Sequence, residues 1–345
     1  MDNKDIETNN KLSIINLSEL DPSWNWLAND MNSPNLTWSH YSTKMVRVPQ
    51  FLPKKELFRR VISAKDAVVF SKKHKSLVVS HGPRPTLYSV SLAKVLGASF
   101  PHLSYSFNFT NLPTGIQHKL MVNAFQQPTK FVVYSSMEKK LYSEYFDIDE
   151  SRIDMLHWSV HEPNIDISAP PIESGEYICA VGSQGRDYEV LFSAMRKLKN
   201  IKLVLVATAE SIQHLAVPDN VKVHTNIPLA QAHNIILHSK FMVLPLRDSQ
   251  VPCGHVTIVS GMFFRKAMLV TNSEGVHDYI QDNITGQFFS PHDAQGLSAK
   301  IEALWNNQNE VEQLANTAYE FAKSNCTEKT VINYFQNFLN SLPAY

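Results

Sequence analysis

The sequence predicts an α/β chain of two successive open parallel sheets, and three observations predict it. Short apolar, β-rich runs alternate with longer amphipathic stretches through most of the chain, which is the pattern of βαβ units. The 345 residues are long for one domain, and two domains of roughly 150 residues each fit that length. One stretch, 162–175 (EPNIDISAPPIESG), is rich in Pro and Ser, lacks periodicity, and reads as a linker between the two series.

In the first half, strands are expected at 12–17, 76–80, 102–106 and 130–134, with helices at 53–72, 86–96 and 116–125. In the second half, strands are expected at 177–181, 201–206, 221–225, 241–246 and 267–271. The matching helices are 188–198, 229–238, 256–264 and 294–306. The tail from Glu310 reads as helix throughout, with a break near 325–327. These elements predict domains at 1–165 and 166–326, with a last helical segment at 327–345.

Composition narrows the function. A hydrophobic share of 43% fills two cores and excludes a disordered chain. Acids and bases balance at 32 each, so no global field recruits nucleic acid, and no nucleic-acid partner is expected. Cys179, Cys253 and Cys326 are odd in number and far apart, so they supply neither a disulfide framework nor a metal site; a reducing cytoplasm is the expected compartment. The polar, acidic start MDNKDIETNN does not read as a secretion signal. The longest apolar runs, such as 241–246, are far short of the ~20 residues of a membrane span. Residues 116–125 are amphipathic with basic flanks: peripheral contact with the inner membrane is one reading of them, a core helix the other.

Open parallel sheets bind ligands at the carboxyl ends of their strands, so the segments after each strand hold the candidates. Residues 251–263 (VPCGHVTIVSGMF) follow one strand and open a helix. Gly254 permits close backbone approach there, and the free N–H groups and helix dipole suit an anion such as phosphate. Cys253, His255, Val256 and Thr257 lie at that helix start, and a plain capped helix is the competing reading. Residues 180–188 (AVGSQGRDY) place Gly182, Ser183 and Gly185 in a turn beside the cation Arg186. A diphosphate between this turn and the helix at His255 is neutralised from both sides; a surface Arg186–Asp187 pair is the alternative. Residues 272–286 carry Glu274 and Gly275 where a loop closes over such a ligand. In the first half, His81, Gly82 and Arg84 follow a strand, as does Asn108. No HExxH motif or His/Cys cluster suggests a metal, and no GxSxG elbow marks a serine hydrolase.

In this order, the motifs resemble retaining glycosyltransferases of the GT-B fold, family 4 type, most closely from Tyr177 to about Asn306. The segment 181–186 looks like the family's Gly turn and basic residue, Cys253-Gly-His255 and Ser260-Gly-Met-Phe263 like its loop-to-helix segment, and 266–286 like its next strand and turns. The resemblance implies two Rossmann-like domains facing across a cleft, with the C-terminal helix crossing back onto the first. It implies transfer of a sugar from a nucleotide-sugar donor to a glycan or lipid-linked acceptor, in surface polysaccharide synthesis, with no resident cofactor. It places Arg186, His81 and Asn108 in catalytic roles, and Gly182, Ser183, Gly185, Cys253, Gly254, His255, Val256, Thr257, Ser260, Glu274 and Gly275 in donor binding. The diphosphate is then gripped across the base of an interdomain groove by the backbone around Gly182 and Gly254. The family's two glutamates fall on Pro252 and Ser260, which makes a catalytically inactive GT-B binding or scaffold protein the alternative. Glu274 is the carboxylate placed to substitute. The family's first glycine turn is replaced by 18–26, where Trp24 and Trp26 either stack on an acceptor sugar or fill the core.

Overall fold

The computed structural model describes residues 11–21, 26–31, 33–163, 165–166, 168–247 and 251–342. Contacts divide the chain into two units, 1–156 with 332–345 and 157–331.

The first unit holds a six-stranded sheet and the helices that cover it. In chain order these are β1 (Leu12–Ser18), α1 (Trp26–Asp30), β2 (Leu36–Ser42), α2 (Lys55–Ser71), β3 (Ser76–His81), α3 (Pro83–Leu96), β4 (His102–Tyr105), α4 (Gly115–Ala124), β5 (Lys130–Val133), α5 (Ser136–Phe146) and β6 (Ile153–Met155). The strands run in the order β2-β1-β3-β4-β5-β6, every pair parallel. The order reverses between β1 and β3, a switch point where loops part and leave a crevice.

β3 is buried along its length, as a strand covered by helices on both faces must be. Ala64 and Ala67 of α2 pack on Ile15, Leu17 and Val78, and Phe107, Phe125, Phe131 and Phe146 form a second cluster with Tyr142. The end of the chain completes this unit. Phe335 is fully buried with its ring 5.4 Å from that of Tyr105, and Tyr334 donates to Asp154 at 2.8 Å.

The second unit continues with β7 (Ile178–Val181), α6 (Tyr188–Met195), β8 (Leu203–Ala207), α7 (Ala209–Ile212), β9 (Val221–Thr225), α8 (Leu229–His238), β10 (Met242–Leu244), α9 (His255–Phe263), β11 (Met268–Thr271), β12 (Gln287–Phe289), α10 (Ala294–Asn306) and α11 (Gln308–Asn325). The last helix, α12 (Glu328–Ser341), begins in this unit and ends in the first. Strand order is β12-β11-β10-β7-β8-β9, all parallel, which is the doubly wound nucleotide-binding order with its switch point between β7 and β10.

α5, β6 and β12 were not expected from the sequence, and two further differences have plain causes. The stretch expected as a linker is tied to the second unit. Ile172 N–H donates to Asn234, and Asn234 donates back to the Pro170 carbonyl. Glu173 is buried in an ionic knot with Lys202, Lys222 and His224 at 2.7, 2.7 and 2.8 Å. Strand β2 escaped notice because LTWSHYS is an edge strand, largely half-buried, with polar residues interleaved. Trp24 lies outside the described residues, and Trp26 opens α1.

Candidate functional site

The two glycine turns of the second unit meet at the switch point of its sheet. The turn after β7 and the segment after β10 are hydrogen-bonded to one another: Asp187 N–H donates to Pro245 O at 3.0 Å, and Arg247 N–H to Gly185 O at 2.9 Å. An antiparallel bridge joins Arg186 to Leu246 between them. The local sequence requires this geometry. Gly182, Gly185 and Gly254 all have positive φ, where a side chain is strained. A Cβ at Gly182 would lie 2.6 Å from Arg186 Nη2, and one at Gly185 would lie 2.4 Å from Cys253 Sγ. The backbone therefore comes as close to these groups as glycine allows.

Arg186 is the electrostatic centre of the site. It is only 6% exposed, and among the described residues no carboxylate pairs with it. Its Nη1 donates to Gln184 O at 2.7 Å and its Nη2 to Thr257 Oγ1 at 2.8 Å, while Nε has no acceptor there. Burial lowers the guanidinium pKa from its ordinary value, partly offset by the neighbouring Tyr188 and Cys253. An arginine stays charged all the same, so a buried cation with no counter-charge beside it suits an anionic ligand. The alternative of an Arg186–Asp187 surface pair is not what forms: Asp187 caps α6 by accepting from Val190 N–H at 3.2 Å, and it meets His292 at 3.3 Å.

Gly254 is the N-cap of α9, with no side-chain cap. Its carbonyl accepts from Ile258 N–H, and the amides of His255, Val256 and Thr257 donate to no acceptor among the described residues. Thr257 ties this helix start to Arg186. His255 plays a different part. Its Nε2 bonds Gly275 O at 2.8 Å, and its ring stacks on Tyr279 at 4.8 Å. Burial lowers its pKa and keeps it neutral, so the ring fastens the 274–276 turn to the helix. Gly275 makes room for this, since a Cβ there would meet Pro252 at 2.1 Å. Glu274 in the same turn is exposed. Ser183 accepts from Thr208 N–H at 2.7 Å, Val256 is half exposed, and Ser260 lies one turn further along α9.

In the first unit, His81 ends β3 and Asn108 follows β4, so both emerge at the carboxyl edge of that sheet. His81 Nε2 is bonded to Asn16 Oδ1 at 2.5 Å, and Asn16 Nδ2 to His40 Nδ1 at 3.0 Å. Burial, with His40 beside it, brings the His81 pKa down to about 4. The sequence reading missed Asn16 and His40, because their meeting with His81 depends on strand order and no local motif encodes it. Gly82 caps α3 with a φ of 92°, its N–H bonded to Tyr105 O. Asn108 is exposed. Among the described residues no cluster of His, Cys, Asp and Glu is able to hold a metal ion, and no helix is long and apolar enough to cross a membrane.

Two all-parallel sheets, the second wound in nucleotide-binding order, define a two-unit α/β fold of the GT-B type. The comparisons place the chain there too. Residues 168–321, nearly the whole second unit, match the family described as glycosyl transferases group 1. A glycosyltransferase from Rickettsia africae superposes with a TM-score of 0.71 at 18% identity, covering 95% of this chain and 98% of its own. Anabaena HepE, solved in complex with UDP-glucose, gives 0.72 at 13% identity over 96% and 100%. Sucrose-phosphate synthase from Thermosynechococcus elongatus gives 0.69 at 13% over 96% and 98%. No curated protein matches the sequence.

Proposed function

We propose that the protein transfers a sugar from a nucleotide-sugar donor to a glycan or lipid-linked acceptor in surface polysaccharide synthesis. The observation that carries this reading is the buried, carboxylate-free Arg186 bonded to Thr257 at the start of α9. The chemical problem in such a transfer is the charge that develops on the departing diphosphate. Arg186 and the open amides of His255, Val256 and Thr257 supply fixed positive charge at one point, so little reorganisation is needed when the bond breaks. The match to group 1 glycosyltransferases and the UDP-glucose complex of HepE support a nucleotide-sugar donor. Charge stabilisation from protein groups alone supports a metal-independent reaction, and likeness to the family supports retention of configuration. Glu274, exposed and next to Gly275, which lies against Pro252, stands in for the absent glutamates as the ribose ligand.

His81 and Asn108 carry the reactive edge of the first unit. With a pKa near 4, His81 is neutral at pH 7 and serves as a hydrogen-bonding group toward the sugar. A panel of nucleotide sugars, assayed for donor consumption and product, tests the reading. Arg186→Ala should lower turnover by about 10²–10³-fold, as removal of an oxyanion donor does elsewhere. Chelator should leave the rate unchanged.

A second reading has its own observation: Pro252 and Ser260 stand where the family carries carboxylates. A binding or scaffold protein would bind the donor without consuming it, or bind none. Turnover in the same assay eliminates it.

A further inference from the structure

The chain as a whole is neutral, with 32 bases and 32 acids, yet one segment of the first unit is strongly biased. Residues 44–60 (KMVRVPQFLPKKELFRR) leave β2 and enter α2 with six bases and a single acid. Glu56 pairs with Arg59 at 2.7 Å and Glu19 with Arg60 at 2.6 Å, which accounts for two of the six. Lys44, Arg47, Lys54 and Lys55 are exposed and make no ion pair among the described residues. Large apolar side chains stand between these cations: Phe51 is 87% exposed and Met45 55%, with Phe58 and Leu57 also exposed. A core has no use for such residues, and their interleaving with cations is the composition of an interfacial segment.

A second apolar pair lies at the same edge. Ile116 and Leu120, one turn apart on α4, are 79% and 57% exposed with Lys119 between them. All strands of this sheet are parallel, so the segments after β2 and β4 both emerge at its carboxyl edge. Three strand spacings, about 14 Å, separate the two strands.

We propose that the first unit docks on an anionic lipid bilayer through 44–58, with the start of α4 as a second point of insertion. Charge complementarity selects an anionic surface, each base near it strengthening the attraction. Hydrocarbon is selected because Met45, Leu57, Ile116 and Leu120 are aliphatic and have no ring to stack on the bases of a nucleic acid. The same edge carries His81 and Asn108, so a docked bilayer brings a lipid-linked acceptor to them. That delivery rests on the proposed transfer reaction, whereas docking does not.

Cosedimentation of the full chain tests it, using vesicles of phosphatidylcholine alone and of phosphatidylcholine mixed with phosphatidylglycerol. Binding to the mixed vesicles only, weakened by salt, is expected. Phe51→Ser, and separately Lys54→Glu with Lys55→Glu, should each reduce it about tenfold or more. Val95→Ser is the control: that side chain is 80% exposed on the end of α3, where the chain has returned to the amino edge of the sheet, and binding should be unchanged. Failure to bind mixed vesicles overturns the proposal. So does binding lost with the lysines but indifferent to Phe51, which describes a plain polyanion patch. Donor consumption without vesicles reports separately on the transfer reading and should survive Phe51→Ser.

Discussion

Arg186 holds a full positive charge where water barely reaches it, and no carboxylate among the described residues answers that charge. A buried cation costs several kcal/mol unless something neutralises it, which is the physical ground for the proposed anionic ligand. Glu138 shows the opposite case, a buried acid that holds its proton well above the usual carboxylate range. It closes a capping box with Ser135, accepting from Tyr134 N–H at 2.9 Å and from Tyr142 at 3.2 Å. Burial still dominates those hydrogen bonds and raises its pKa from 4.5 to about 7. The folded pKa therefore lies above the unfolded one. Its contribution to stability is full below pH about 4.5 and is lost as pH rises to about 7. Urea unfolding across that window should show stability from this group declining with pH, and Glu138→Gln should flatten the slope. Single residues were legible in the sequence when a strand-turn-helix pattern announced them, as with Gly182, Arg186 and Gly254. His255 was found but its role was not, because its bond to Gly275 joins segments 20 residues apart.

At the level of elements, the site is made by turns whose glycines leave room for something else. Gly182→Ala at φ 112° strains the backbone and pushes its Cβ to 2.6 Å from the guanidinium. Donor affinity should fall about tenfold or more by calorimetry, because a strain of about 1–3 kcal/mol is relieved by displacing Arg186. Circular dichroism should show the fold retained. The alternating strands and helices were readable because buried parallel strands are short apolar runs, as in β3 and β10. The edge strand β2 and the anchored stretch around Glu173 were not. A half-buried strand has mixed composition, and the partners of Glu173 lie 29 to 51 residues away.

On the scale of the whole molecule, two successive α/β series in the sequence become two all-parallel sheets, each reversing order once. The final residues belong to the first unit, and Phe335 is part of its core. Phe335→Ala should destabilise that unit by about 3–5 kcal/mol in urea unfolding. Neither periodicity nor composition reveals which sheet a terminal helix will join, since either core accepts the same apolar stripe. The group 1 match covers nearly the whole second unit, where the turns around Gly182 and Gly254 lie, and sequence reading was correspondingly most specific there.

The central claim is that Arg186 and the start of α9 grip a diphosphate. Titration calorimetry with UDP, and with other nucleoside diphosphates in turn, against the native chain and Arg186→Gln is its most direct test. The account predicts that a nucleoside diphosphate binds the native chain and loses about 10–100-fold in affinity with the substitution, the worth of a hydrogen bond to a charged group. Equal affinity in the two proteins, or no binding to either, would contradict it.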